Sequence, residues 1–247
     1  MTGGRALVIG ASQGLGAHFA RRLAEDGWKV TGLGRRLAER VPGELDYIQA
    51  DLAAPAAVTE VLARIGPTPE LIVHNAVVYP GQGPHALPDL ESVFRANTLA
   101  PYLLLSELLA ARPPEQPCAC VVVNSDSIFH ARAQSGVYAA SKAALRVLTT
   151  TMADRFRGSG ASVSTLLLGP IADPKKVADL RRVAEQRGVD EQAITRTFLG
   201  RSNTDLVIDE LIGFEPCYQA LATLAGLGKA GNGAVFRVDG GSGGSLV

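Results

Sequence analysis

Arg5-Ala-Leu-Val-Ile-Gly10-Ala-Ser-Gln-Gly14-Leu-Gly16 decides the fold of this chain. Its first half is a short apolar, β-favouring run that ends in glycine and reads as a strand. Its second half carries glycines at 10, 14 and 16 and opens a helix over 14–27, with Phe19, Leu23 and Ala24 on one face. Strand, glycine turn and helix start, in that order, present free N–H groups and a positive dipole end to a phosphate. Ser12, Gln13 and Leu15 complete the cradle. The glycine spacing alone says little; in this setting it says much. A tight turn without a ligand is the plainer alternative.

Working outward, the alternation continues. Further strands are expected at 28–33, 45–50, 71–74, 119–125, 163–168 and 234–238. Helices are expected at 56–65, 90–111, 135–156 and 209–227. Strands that are apolar throughout, separated by helices, imply a parallel sheet buried on both faces. The expected fold is a single-domain, Rossmann-type doubly wound α/β architecture of about seven strands over 1–247. No linker divides the chain and no repeat recurs. One segment, about 170–206, breaks the pattern: it is charged and strandless, with Val177, Leu180, Val183 and Ala184 at helical spacing. Such an excursion at the carboxyl end of a strand borders the ligand crevice and is expected to be a substrate lid. A solvated surface insertion is its alternative.

Composition narrows the function. Of 247 residues, 47% are apolar, which is enough for a large core. The 24 basic residues balance the 24 acidic ones, so nothing marks a nucleic-acid or anionic-membrane surface. The most apolar run, 99–111, is too short to cross a bilayer and contains Pro101, Ser106 and Glu107. A strand begins almost at the N-terminus, which leaves no room for a signal peptide, so a cytoplasmic location is expected. Three cysteines cannot all pair. Cys118 and Cys120 share a strand face and read as reduced, buried thiols, with no metal site expected.

The end of the second strand selects the nucleotide. A carboxylate there would bind the ribose 2′-hydroxyl of NAD. This chain has Gly34-Arg35-Arg36, so a 2′-phosphate can sit against Arg35, with Arg36 beside it, and NADP(H) is the expected cofactor. Asp51-Leu52 follows the third strand, where Asp51 either accepts from the adenine amino group or caps the next helix. Asn75-Ala76 ends the fourth strand where backbone approaches the cofactor.

Chemistry is concentrated in Tyr138-Ala-Ala-Ser-Lys142, with Ser125 thirteen residues upstream. A helix sets residues four apart on one face. An ammonium held there is expected to lower the phenol pKa, and Tyr138 then exchanges a proton with an alcohol or carbonyl. Ser125 bonds the same oxygen, with Ser127 as its alternative. His130 reads as a pocket-wall residue.

Together these pieces resemble the classical short-chain dehydrogenase/reductase family, NADP(H)-preferring type. Gly10, Gly14 and Gly16, Asp51-Leu52, Asn75-Ala76, Asn97, Ser125, Tyr138-x-x-x-Lys142 and Arg237-Val-Asp-Gly-Gly241 stand in family order over nearly the whole chain. The resemblance implies that Tyr138 is the catalytic acid/base. Lys142 lowers its pKa and binds the nicotinamide ribose, Ser125 polarises the reacting oxygen, and Asn97 holds a water in a proton relay. It implies further cofactor contacts at Pro170 and Ile171, and dimers or tetramers through the two long helices. The implied activity is hydride transfer between NADP(H) and a ketone or secondary alcohol. Val77, Val78, Phe129, Leu168, Ile171 and Phe198 are expected to line an apolar pocket. Two departures stand out. Gly169-Pro170 replaces the family's Pro-Gly, with no threonine after it, and Val77 replaces a glycine. They leave open a second reading, a non-catalytic nucleotide-binding sensor on the same fold.

Overall fold

A computed structural model describes residues 3–36, 45–66, 68–81, 83, 85–132 and 134–243. Seven strands form one sheet: β1 Arg5–Ile9, β2 Lys29–Gly34, β3 Asp46–Gln49, β4 Leu71–His74, β5 Cys118–Ser125, β6 Ala161–Leu168 and β7 Val235–Val238. Their order is β3-β2-β1-β4-β5-β6-β7, and every pairing is parallel. The order reverses between β1 and β4, so a crevice opens beyond their carboxyl ends.

Parallel pairing forces the chain to cross over between strands, and the crossovers cover both faces. Side-chain alternation splits the core in two. Leu7, Ile9, Ile72, Cys120 and Val122 pack beneath α2 Ala57–Arg64, α4 Ala100–Ala110 and α5 Gly136–Arg155. Val8, Val73, Val121 and Leu166 pack against α1 Gly14–Glu25 and α8 Phe214–Gly226. Cys118, Cys120 and Cys217 are free and buried. Burial raises all three thiols, Cys118 to about 11 and Cys217 to about 12, so they are inert.

Two expected helices differ. The one expected over 90–111 begins earlier, as α3 Leu87–Phe94, with proline in its first turn. It then widens into a π-helical turn, Arg95–Leu99, before α4. Pro101 has no N–H to give the Asn97 carbonyl in an α-helical register, and the wider turn absorbs that mismatch. The last helix starts at Phe214 rather than 209, because Pro170 and Ala172 bond Ile212 on both sides of an Ile171–Ile212 bridge. The charged excursion forms two helices, α6 Pro174–Arg187 and α7 Glu191–Ser202. Leu180, Ala184 and Ile194 are buried between them, with Val183, Phe198 and Leu211 packed on. Gly188, at φ 62°, closes α6 in the left-handed region that a side chain resists. Among the described residues no helix is long and apolar enough to cross a membrane.

Candidate active site

The glycine turn is built by close packing before any ligand is considered. Gly10 has φ 91°, and a Cβ there would lie 2.6 Å from the Ala76 nitrogen. A Cβ on Gly16 would lie 1.9 Å from the Gly10 oxygen and 2.7 Å from Asn75 Nδ2. These two positions therefore dock β1 and α1 onto the loop after β4. Gln13 begins α1 without a side-chain cap, and no acidic residue sits in its first turn. Its leading N–H groups suit a diphosphate. One feature opposes this. Asp173 Oδ2 lies 3.1 Å from where a Gly14 Cβ would stand, which brings a carboxylate onto the cradle. Leu15 is buried in the core, so only its backbone belongs to the turn.

Arg35 and Arg36 are exposed at the end of β2. Their carbonyls accept from Gln49 Nε2 at 3.1 Å and the Tyr47 hydroxyl at 2.6 Å. That pins the backbone, and among the described residues neither guanidinium group has a side-chain partner. Ser12 Oγ is 3.1 Å from a hypothetical Cβ on Gly34, so it faces the same corner. Asp51 Oδ1 accepts from the Ala53 N–H at 3.0 Å and shapes the turn before α2. Leu52 is a core residue. Pro170 and Ile171 are tied to Ile212, and Gly169 packs so closely that a Cβ would lie 2.6 Å from the Asp239 oxygen.

Ser125 ends β5, and Tyr138 and Lys142 project from α5, so all three meet at the carboxyl edge of the sheet. Ser125 Oγ accepts from the Ser127 N–H at 3.2 Å, donates to Asp126 Oδ1 at 3.3 Å, and lowers the Tyr138 pKa through a side-chain hydrogen bond. Ser127 Oγ is buried and lacks a partner among the described residues. His130 Nε2 lies 3.1 Å from Asp126 Oδ2.

Tyr138 departs from expectation. Burial pushes its phenol well above the ordinary range; the adjacent Tyr79 and Asp126 push the same way. The lysine does not reverse this. Lys142 Nζ donates to the Val123 carbonyl at 3.1 Å, and burial drops its own pKa to about 8. Burial thus favours the neutral phenol of Tyr138.

Asn97 sits within the π-helical turn and is wholly buried. Its Oδ1 accepts from the Val78 N–H at 2.7 Å, and its Nδ2 donates to the Val78 carbonyl at 2.8 Å and Ser141 Oγ at 3.1 Å. The side chain is a clamp on the loop after β4.

Several residues escaped sequence reasoning. Tyr79 stacks on Tyr138, with ring centroids 4.6 Å apart at 26°. An aromatic four residues beyond Asn75, in a loop at a strand's carboxyl end, was a usable signal. Asp173 caps α6 and brings its second carboxylate oxygen to the Gly14 turn, a meeting that local spacing does not announce. Lys176, on α6, donates to the Ile171 carbonyl at 3.3 Å and lies over the Phe198 ring at 5.8 Å. His74 is fully buried on β4, with neither ring nitrogen bonded among the described residues. Of the expected pocket residues, Leu168 is in the core, Ile171 packs on it, and Phe198 belongs to the α6–α7 cluster. A strand side chain's face is fixed by register, which composition does not reveal.

A doubly wound dinucleotide fold with a Ser-Tyr-Lys centre at its carboxyl edge is the arrangement of a nicotinamide-dependent oxidoreductase. Residues 5–182 match the family model described as short chain dehydrogenase, and the chain belongs to that family. It is 33% identical over 212 residues to Protein FixR of Bradyrhizobium diazoefficiens, covering 72% of this chain and 74% of FixR. It is 26% identical over 195 residues to Ketoacyl reductase HetN of Nostoc, covering 73% and 68%. A solved short chain dehydrogenase from Burkholderia cenocepacia, in complex with NADP, superposes at TM-score 0.77 with 26% identity, covering 96% of this chain and 97% of that one.

Proposed function

We propose that this protein is an NADP(H)-dependent reductase of ketones, acting as one domain and running toward the secondary alcohol. The observation that carries the reading is the meeting of Ser125, Tyr138 and Lys142 at the carboxyl edge of the sheet, with burial favouring the neutral phenol that can protonate a carbonyl oxygen. Ser125 would hold the substrate oxygen and Tyr138 would give it a proton. Lys142, with its proton loosened by burial, would resupply Tyr138 through the Asn97 carbonyl and its water. The cofactor, when bound, supplies hydride to the carbonyl carbon. Arg35, Arg36 and Ser12 would hold its 2′-phosphate, the amides of Gly14, Leu15 and Gly16 its diphosphate, and Asn75-Ala76, Pro170 and Ile171 its inner half.

An apolar or cyclic ketone suits the exposed rings of Tyr79 and Phe129 at the rim. Leu99, Leu103 and Val147 are exposed on the π turn, α4 and α5, which supports pairing of these helices between copies of the chain. The three free thiols suit the reducing cytoplasm.

Titration with NADPH and NADH, followed by nicotinamide fluorescence, tests the cofactor. NADPH should bind the tighter, and Arg35→Ala should weaken it by about tenfold or more while sparing NADH. A panel of cyclic ketones tests the chemistry: Tyr138→Phe should abolish NADPH oxidation. Full turnover in Tyr138→Phe, or equal affinity for the two nucleotides, overturns the reading. NADPH binding without turnover on any ketone leaves the sensor alternative standing.

A further inference from the structure

Phe129 ends the short turn Asp126–Ile128 that follows Ser125, so its ring stands on the loop that carries the site from β5 to α5. What holds that ring comes from the far end of the chain. The guanidinium carbon of Arg237, on β7, lies 5.4 Å from the ring centroid. A Cβ on Gly243 would stand 3.0 Å from Phe129 Cδ2, so the C-terminal backbone runs against the same ring. Even so, 49% of Phe129 remains exposed, which leaves room for a further contact.

Arg237 is itself fixed. Its Nε donates to Asp239 Oδ2 at 2.8 Å, and its Nη2 donates to the Ser242 carbonyl. Asp239 and Ser242 are both buried, so the guanidinium ties together groups that water barely reaches. Ser242 Oγ accepts from Asn203 Nδ2 at 2.8 Å, and Asn203 is the buried residue that ends α7. The Gly240 carbonyl accepts from the Val207 N–H at 2.9 Å. A continuous path thus runs from the end of α7, through the turn at 239–243 and Arg237, to Phe129. A guanidinium suits this junction. Its face is drawn to the ring while the N–H groups along its edge still reach a carboxylate and a carbonyl.

We propose that Arg237 is a positioning residue for substrate selection: it straps Phe129 to the C-terminal turn, so the ring keeps one place at the mouth of the site and offers its open side to an aromatic ketone. The proposal rests on the reductase reading above. Arg237 acts through Phe129 and touches neither substrate nor cofactor in it.

Two measurements on the full chain test this. Amide hydrogen exchange compares wild type with Arg237→Met, which keeps an apolar stem and removes the guanidinium. Exchange at 126–132 and 239–243 should quicken about three- to tenfold, with strands 5–9 and 71–74 unchanged. Unmoved exchange at 126–132 overturns the strap, whatever the enzyme's activity. Equal quickening in the strands would make Arg237 a general stabiliser and overturns it too. NADPH oxidation with acetophenone and cyclohexanone then reads selection. In Arg237→Met the KM for acetophenone should rise about three- to tenfold, with kcat and the KM for cyclohexanone each within about twofold of wild type. An equal change for both ketones, or none for either, overturns the selective role. No turnover in wild type with either ketone overturns the reductase reading instead, and the exchange result still decides whether Arg237 holds Phe129.

Discussion

Asp173 Oδ2 lies against Gly14, 3.1 Å from the point a Cβ would occupy, while Oδ1 caps α6 by accepting from the Lys175 N–H at 3.0 Å. One side chain thus starts α6 and places a negative charge on the turn that suits a diphosphate. Like charges at such range cost about 1–2 kcal/mol near a protein surface. Asp173→Asn preserves the cap and removes the charge, so NADPH affinity should rise about five- to thirtyfold. Fluorescence titration reads this directly; equal affinity in both proteins would show that the carboxylate swings clear at no cost.

Asn97 makes three hydrogen bonds with a wholly buried amide. Asn97→Ala leaves the Val78 N–H and carbonyl without those partners, at about 2–4 kcal/mol. The melting temperature should drop by roughly 4–16 °C for a chain of this size. A drop of a degree or less would mean that the clamp is dispensable.

Buried Lys142 titrates at about 8 rather than the ordinary 10.5. The folded state binds its proton more weakly than the unfolded chain, so below pH 8 its burial costs stability. The cost is relieved as pH climbs from about 8 to 10.5. Lys142→Met should therefore be the more stable protein at pH 7, by up to about 3 kcal/mol, with the gap closing by pH 10.5. Urea midpoints of the two proteins across this range check it, and parallel curves would refute the shift.

His74 obeys the same logic at the acid end. Burial, with Lys142 nearby, holds its pKa at about 3, so the imidazole stays neutral when folded. The unfolded chain takes up a proton near pH 6.5, and stability is lost as pH falls from there toward 3. About 2 kcal/mol should be gone by pH 5. His74→Asn should flatten that slope. An equally steep loss between pH 7 and 5 in the variant would assign the acid sensitivity elsewhere.

Much of this protein was legible along the chain. Leu7 and Val8 point to opposite faces because a strand alternates, and both are apolar because the sheet is covered twice; that pattern alone announces parallel α/β architecture. Gly10 and Gly16 were readable as a turn, since no other residue fits where a Cβ would strike backbone. Tyr138 and Lys142 were readable as a pair because helical spacing is local. The π-helical turn at Asn97 was not, although Pro101 announced a break in bonding: which register absorbs a missing N–H depends on what packs around it. Nor were the states of the ionisable groups. Helical spacing put Lys142 beside Tyr138, but the Val123 carbonyl claims its ammonium, and burial together with Tyr79 favours the neutral phenol of Tyr138. The sequence by itself determined the strand and helix pattern, the glycine turn and the Tyr138–Lys142 pair, because each is a matter of period and spacing within one element. Only the tertiary structure decided that Tyr79 stacks on Tyr138, that Asp173 faces Gly14 and that His74 is buried with neither ring nitrogen bonded among the described residues. Those are meetings between distant segments, and their energies depend on burial and charge in three dimensions.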